Sequence, residues 1–208
     1  MTNKFIDAMN FRHACKVFDK TKKISDDEMM YILEAGRKSP SAFGMEPWKF
    51  LVTTNNELKT KLKPACKNQI QVTSCSHLMI VLAAIDGVKL TSSDIKKRFL
   101  AKGIPAEKLD FYLELYSDHL KHILNKDENI YNWTSLQTFI AATNMMTAAA
   151  YIGIDSCPLE GFYKEQTEQI LGIDTKEFQV SLVLPFGYRI KPQPKQLRKP
   201  ISEIVEFI

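Results

Sequence analysis

The first residues with chemical potential are Arg12-His13-Ala14-Cys15-Lys16. Two cations four residues apart, beside backbone amides, can hold an anion. Arginine offers a fork matched to phosphate oxygens and lysine a point charge. The same five residues also read as an ordinary basic turn. Ser39-Pro40-Ser41-Ala42-Phe43-Gly44-Met45-Glu46-Pro47-Trp48 is rich in small residues that let a ligand approach the backbone. A proline-stiffened connector is the competing reading. Asn68-Gln69-Ile70-Gln71 supplies amides that donate and accept together, as the edge of a heteroaromatic ring requires. A polar helix end would look the same. Gln137 and Asn144 sit in an apolar stretch, where a polar side chain needs a backbone or ligand partner. Pro158-Leu159-Glu160-Gly161-Phe162 gives either a sharp path with amides facing a ligand or a plain loop.

Other chemistries find little support. His119 and His122 are three residues apart on a helix, and a metal site would need more ligands. His13 and His77 read as structural. Cys15, Cys66, Cys75 and Cys157 form no CxxC pair, so reduced thiols in a cytoplasmic protein are expected, with no metal. No GxGxxG, P-loop, GxSxG or HExxH occurs, and no Ser-His-Asp arrangement is apparent. The net charge of +4 is mild and scattered, without the clustered stripe that nucleic acid demands. The most apolar run, Leu78 to Ile85, is far short of the roughly 20 residues a membrane helix needs. Met1 to Asn10 lacks the basic and apolar regions of a secretory signal.

These residues must be positioned by a single domain over 1–208, long enough for a substantial core. Residues 4–11 read as a short helix carrying Phe5, Ile6 and Met9. Ser25 and Glu28 form a capping box, which starts a helix over about 26–37. Trp48 to Thr53 reads as a strand and Glu57 to Lys63 as a short helix. Leu78 to Ile85, apolar throughout, implies a strand buried on both faces. Residues 91–125 read as a helical excursion interrupted at Gly103-Ile104-Pro105. Thr134 to Tyr151 is nearly free of charge and reads as a buried helix. Gln179 to Tyr188 is another strand, and about 190–208 an extended, proline-punctuated tail. The irregular mixture argues α+β. The apolar tail has no core of its own, so it is expected to wrap another surface.

Taken in order, these segments resemble the nitroreductase family of flavoproteins, on the branch of oxygen-insensitive NAD(P)H nitroreductases and dihydropteridine reductases. The matching motifs are Arg12-His13-x-x-Lys16-x-Phe18-Asp19, Ser39-Pro40-Ser41 with Pro47-Trp48-x-Phe50, and Asn68-x-x-Gln71. Later come Gln137, Pro158-Leu159-Glu160-Gly161-Phe162 and Arg198-Lys199-Pro200. The resemblance implies an α+β homodimer with a mostly antiparallel sheet flanked by helices. Its C-terminal segment would be exchanged between subunits. One FMN would sit in each of two interface sites, with NADH or NADPH as donor and small molecules as acceptors.

On that resemblance, Arg12 and Arg198 hold the FMN phosphate, helped by the backbone at His13 and Ala14. Lys16, Asn68 and Gln71 address the pyrimidine end of the ring. Pro40, Ser41, Ala42 and Gly44 come from the partner chain, with Gln137. Pro158, Leu159, Glu160 and Gly161 lie against the ring. Phe43, Tyr116 and His119 border the substrate slot. No side chain is assigned as catalytic, because the flavin carries the hydride chemistry. The sequence departs from close relatives at Ala14, Gly44, Glu46 and Gln196, where Ser, Asn, Gln and a phosphate-binding Lys are frequent. Another flavin enzyme on the same fold, or a non-catalytic flavin-binding protein, are the alternative readings.

Overall fold

The computed structural model describes residues 4–123 and 127–208. Four strands form one antiparallel sheet in the order β1-β2-β4-β3: β1 Trp48–Thr53, β2 His77–Ala84, β3 Asp155–Ser156 and β4 Phe178–Gly187. Among the described residues eight α-helices surround it: α1 Lys4–Phe11, α2 Asp26–Arg37, α3 Asn56–Ala65, α4 Gln71–Ser74, α5 Asp94–Ala101, α6 Leu109–Ile123, α7 Asp127–Tyr151 and α8 Lys164–Leu171. The α+β class expected from the sequence is the class found. Residues 124 and 125, the end of the expected 91–125 helical stretch, and the side chain of His122 lie outside what is described.

Every residue of β2 is buried, so both faces of the sheet are covered. Alternation sorts its side chains. Leu78, Ile80 and Leu82 pack with Leu62 of α3 and Val72 of α4. Met79 and Val81 pack on the other side with Ile32 of α2 and with Met145 and Ala149 of α7. A third cluster joins Met45, Phe99 of α5, Tyr116 and Leu120 of α6, and Trp133 of α7. The excursion is thus anchored by its own apolar core.

Helix α2 starts where its capping box puts it: Glu28 N donates to Ser25 Oγ at 3.3 Å and Ser25 N to Glu28 Oε2 at 2.8 Å. Helix α7 starts at Asp127 rather than Thr134. The charge-free stretch that marks the helix in the sequence begins about two turns inside it. Helix α8 carries mostly Lys, Glu and Gln, so its apolar period is too sparse to read. It ends at Gly172, whose φ of 63° no β-carbon obstructs. The tail from Lys191 lacks regular structure except one turn at Ile201–Glu203, and Leu197, Ile201, Ile204 and Phe207 are exposed along it.

Candidate functional site

The basic segment is added to the free edge of the sheet. Ala14 pairs in parallel with Ser156 of β3, and Cys15 N donates to Ser156 O at 3.0 Å. Phe18 pairs with Arg189, and Asp19 N donates to Tyr188 O at 2.7 Å. This pairing buries Cys15 and turns Ala14 and Lys16 outward. Lys16 Nζ lies 4.0 Å from Cys157 Sγ, and Gln71 Nε2 lies 3.9 Å from the same sulfur. Leu159 exchanges backbone hydrogen bonds with Val183, which lays Pro158 to Gly161 beside β4. Gln69 Nε2 donates to Gly161 O at 2.9 Å and to Cys66 O at 3.1 Å, tying the Asn68 turn to that loop.

Arg12, His13, Ala14, Lys16, Asn68, Gln71 and Pro158-Leu159-Glu160-Gly161 therefore gather in one region. A cavity of about 270 Å³ opens between the basic segment and the start of the tail, lined by His13, Ala14, Lys16, Arg189, Lys191 and Pro194 among others. Its ionisable lining is cationic or neutral. Burial, then Arg189, pulls the His13 pKa below its ordinary value against the opposing pull of Asp155, which keeps its imidazole neutral near pH 7. Burial pushes the Cys15 thiol up to about 11, and it raises Cys157 too, against Lys16 and Gln71. Neither thiol is a thiolate nucleophile at neutral pH. The donor set suits a ligand with a phosphate and a polar ring edge.

The second group is the turn before β1. Phe43, Gly44 and Glu46 all have positive φ, at 53°, 59° and 47°. Such backbone persists only when its surroundings hold it. Ala42 N donates to Gln137 Oε1 at 2.9 Å and Glu46 N to Ser41 Oγ at 2.8 Å. Lys102 Nζ donates to Phe43 O at 3.2 Å and Arg98 Nη1 to Met45 O at 2.5 Å. Asn144 Nδ2 donates to Ser39 Oγ at 2.8 Å, beside the exposed Pro40. Sequence reasoning missed Arg98 and Lys102. Their only signal was two cations four residues apart, Arg98 in the last turn of α5 and Lys102 just beyond its end, in a run of surface lysines.

The Phe43 ring meets Tyr116 at 5.3 Å and His119 at 5.0 Å between centroids. Tyr116 is 0% exposed and its hydroxyl donates to Val88 O at 2.6 Å. It backs Phe43 from inside. His119 stands between Phe43 and Trp133 and is only partly buried.

The two groups start from opposite corners of the sheet. Trp48, after the turn, is level with Ala83 and Gln179, whereas Ser156, beside Ala14, is level with Phe186. Gln179 and Phe186 are seven residue steps apart on β4, about 23 Å along the strand, and three strand spacings add about 14 Å across. Among the described residues no hydrogen bond or ion pair joins the 39–46 turn to the basic segment. Arg198 is exposed on the tail, two residues beyond Gln196, whose Nε2 donates to Arg12 O at 2.6 Å. Among the described residues no group of three or more His, Cys, Asp and Glu side chains is placed to hold a metal, and no helix is long and apolar enough to cross a membrane.

Residues 9–188 match the model of the nitroreductase family, and the chain belongs to that family of oxidoreductases. Over its whole length it is 39% identical to YfkO of Bacillus subtilis (strain 168), a protein named as a candidate NAD(P)H nitroreductase, 99% of which is covered. A nitroreductase-like protein of Streptococcus mutans superposes with a TM-score of 0.89 at 22% identity, each chain covered in full. A nitroreductase-type protein of Exiguobacterium sibiricum 255-15, solved in complex with FMN, superposes at 0.82 with 24% identity, covering 98% of this chain and 97% of that one.

Proposed function

We propose that the chain is an FMN-dependent oxidoreductase that passes a hydride from NADH or NADPH to nitroaromatic, quinone or similar acceptors. The observation that carries the reading is the convergence of Lys16 and Gln71 on Cys157, with Arg12 at the head of the same segment. Family membership, YfkO's name and the FMN in the Exiguobacterium protein support it.

The donor set fits FMN. Arg12 and Arg198 would hold the phosphate with the amides near His13 and Ala14. Lys16, Asn68 and Gln71 would address the pyrimidine edge, and Pro158, Leu159, Glu160 and Gly161 would lie against the ring. When bound, FMN supplies hydride acceptance and donation. The chain's own part is position and field. Lys16 places positive charge beside the edge that becomes more negative on reduction. Phe43 and His119 would shape the slot above the ring, with Tyr116 behind them.

A second copy completes the site. The corners reached by Ala14 and by the 39–46 turn are separated by most of the sheet, so Pro40, Ser41, Ala42, Gly44 and Gln137 would come from the partner of a homodimer. On helix α7, Leu136 is 65% and Ile140 39% exposed. Neighbouring apolar side chains left open to solvent one turn apart on a helix fit a surface that another subunit covers. The exposed apolar tail, with Phe207 97% accessible, would cross onto the same partner. Four free cysteines fit a reducing cytoplasm.

NAD(P)H would enter the slot, react and leave before the acceptor takes its place. Parallel double-reciprocal lines are expected in steady-state kinetics, and intersecting lines would overturn the ping-pong order. The direct test is the visible spectrum of the purified protein during anaerobic titration with NADH and NADPH. A flavin band that bleaches on titration is expected. A colourless protein that stays colourless after soaking in FMN would remove the function.

A further inference from the structure

Helix α1 ends at Phe11, and the last four carbonyls of a helix lack intrahelical donors. Here each finds one. Ala8 O accepts from Arg12 N at 2.9 Å. Met9 O accepts from Gln196 Nε2 at 3.1 Å, and Asn10 O from Gln193 Nε2 at 2.6 Å and Gln196 Nε2 at 3.0 Å. Phe11 O accepts from Arg189 Nη2 at 3.3 Å. Gln196 Nε2 reaches Arg12 O as well, at 2.6 Å. Apart from Arg12 N, every donor comes from one stretch of the tail, Arg189 to Gln196.

That stretch is itself anchored. Arg189 donates from N and Nε to Asp155 Oδ2 at 2.9 and 3.0 Å, and its Nη2 lies 2.7 Å from Oδ1 of the same buried carboxylate. Its guanidinium sits 4.0 Å from the centroid of the Phe11 ring. Arg189 Nη1 donates to Gln193 Oε1 at 3.0 Å, which turns the Gln193 amide nitrogen toward Asn10 O. Asp155, Arg189, Gln193 and the end of α1 are thus joined in sequence.

The position of this cap gives it a consequence. The carbonyl end of a helix carries about half a negative charge. In this chain that pole lies where the basic segment starts, at Arg12. A phosphate held by Arg12 would face uncapped carbonyls of its own sign. We infer that Arg189, Gln193 and Gln196 are positioning residues for the anionic group bound by the Arg12–Lys16 segment. They occupy the carbonyls of α1 with N–H donors and fix the backbone from which Arg12 projects. Gln196 does this as a neutral amide, spending its N–H groups on backbone rather than on the ligand. The inference rests on the flavin reading above, with the phosphate of FMN as the anion.

FMN and riboflavin share the ring and differ in the phosphate, so they separate positioning from general stability. Full-length protein freed of flavin is titrated with each, following quenching of flavin fluorescence. Gln196→Ala is expected to weaken FMN about three- to tenfold and riboflavin by no more than about twofold. Gln196→Glu, with a charge of the wrong sign, weakens FMN further. Gln196→Lys keeps a donor and holds FMN at least as well as Gln196→Ala does. Equal weakening of both ligands in Gln196→Ala would mark a merely structural role and overturn the inference, as would no change in either. Wild-type protein that binds neither ligand would instead remove the flavin reading itself. Wild-type protein that prefers FMN, with Gln196→Ala preferring it to the same degree, would remove the cap alone.

Discussion

The ammonium of Lys102 occupies the space that a side chain on Gly44 would enter: a Cβ there would come within 2.6 Å of its Nζ. The same Nζ donates to Phe43 O at 3.2 Å, so the lysine fastens the turn across the residue with no side chain. Gly44 has φ of 59°, a conformation that costs an L-residue about 1–2 kcal/mol. Lys102 is a flexible neighbour, so backbone strain decides the outcome. Gly44→Ala should lower unfolding stability by about 1–2 kcal/mol. Gly44→Asn should cost less, because asparagine tolerates the left-handed region. Urea denaturation of the two variants checks the order, and equal stability of Gly44→Ala and wild type would show that the turn relaxes.

Gly187, at the end of β4, meets a stiffer neighbour. A Cβ there would lie 2.8 Å from Cδ1 and 3.1 Å from Cγ of Phe18, a fully buried ring. The ring has little room to move away, so Gly187→Ala should destabilise by about 1–3 kcal/mol, as overpacked core positions do. Adding Phe18→Leu should give a double variant less destabilised than the sum of the two single ones. Strict additivity in thermal or urea melts would place the strain elsewhere.

The contrast between these two glycines shows what the sequence made legible. Local signals carried far. Ser25 and Glu28 announced α2, and the unbroken apolar run from Leu78 announced a strand covered on both faces. Contacts between distant segments left no such trace. Asp155 and Arg189 are both charged residues of ordinary type, and only the sheet edge brings them to 2.7 Å. Asn68 and Gln71 stood out by motif, yet Gln69 between them holds Gly161 O. Lys59 looks like a surface lysine of a charged helix, but it is 1% exposed, with Nζ donating to Cys75 O at 2.9 Å. Periodicity reports which face is apolar; it does not report which polar side chain finds a carbonyl across the fold.

That buried lysine shapes the acid response. His77 is buried, with Nδ1 3.0 Å from Ser76 Oγ. Burial lowers its pKa, Lys59 and Lys23 lower it further, and Asp26 alone opposes them. A histidine whose folded pKa lies below 6.5 binds its proton more readily when unfolded. Stability is therefore lost as pH falls below about 6.5, until the folded-state pKa is passed. His13, lowered chiefly by burial and by Arg189, adds to the loss in the same window. The thermal midpoint should fall between pH 7.5 and 5.5, in a range too high for the carboxylates to titrate (about 4). His77→Gln should flatten part of that slope, and an unchanged slope would assign the titration to another group.

Lys16 tests the electrostatic half of the proposed function without relying on turnover. Its ammonium is exposed, yet it lies against Cys157 beside the loop expected to carry the flavin ring. A single charge at about 4 Å contributes on the order of 1 kcal/mol when screened by water. For a two-electron couple that corresponds to about 20 mV. Lys16→Gln keeps length and polarity but removes the charge, so the two-electron midpoint potential of bound FMN should fall by about that amount. Lys16→Arg should hold the potential near the wild-type value, since sign matters here more than shape. Both variants are compared at saturating FMN by equilibration with a reference dye, so a change in affinity cannot pass for a change in potential. If Lys16→Gln and wild type reduce at the same potential, the ammonium points away from the ring. Its motif would then serve binding alone.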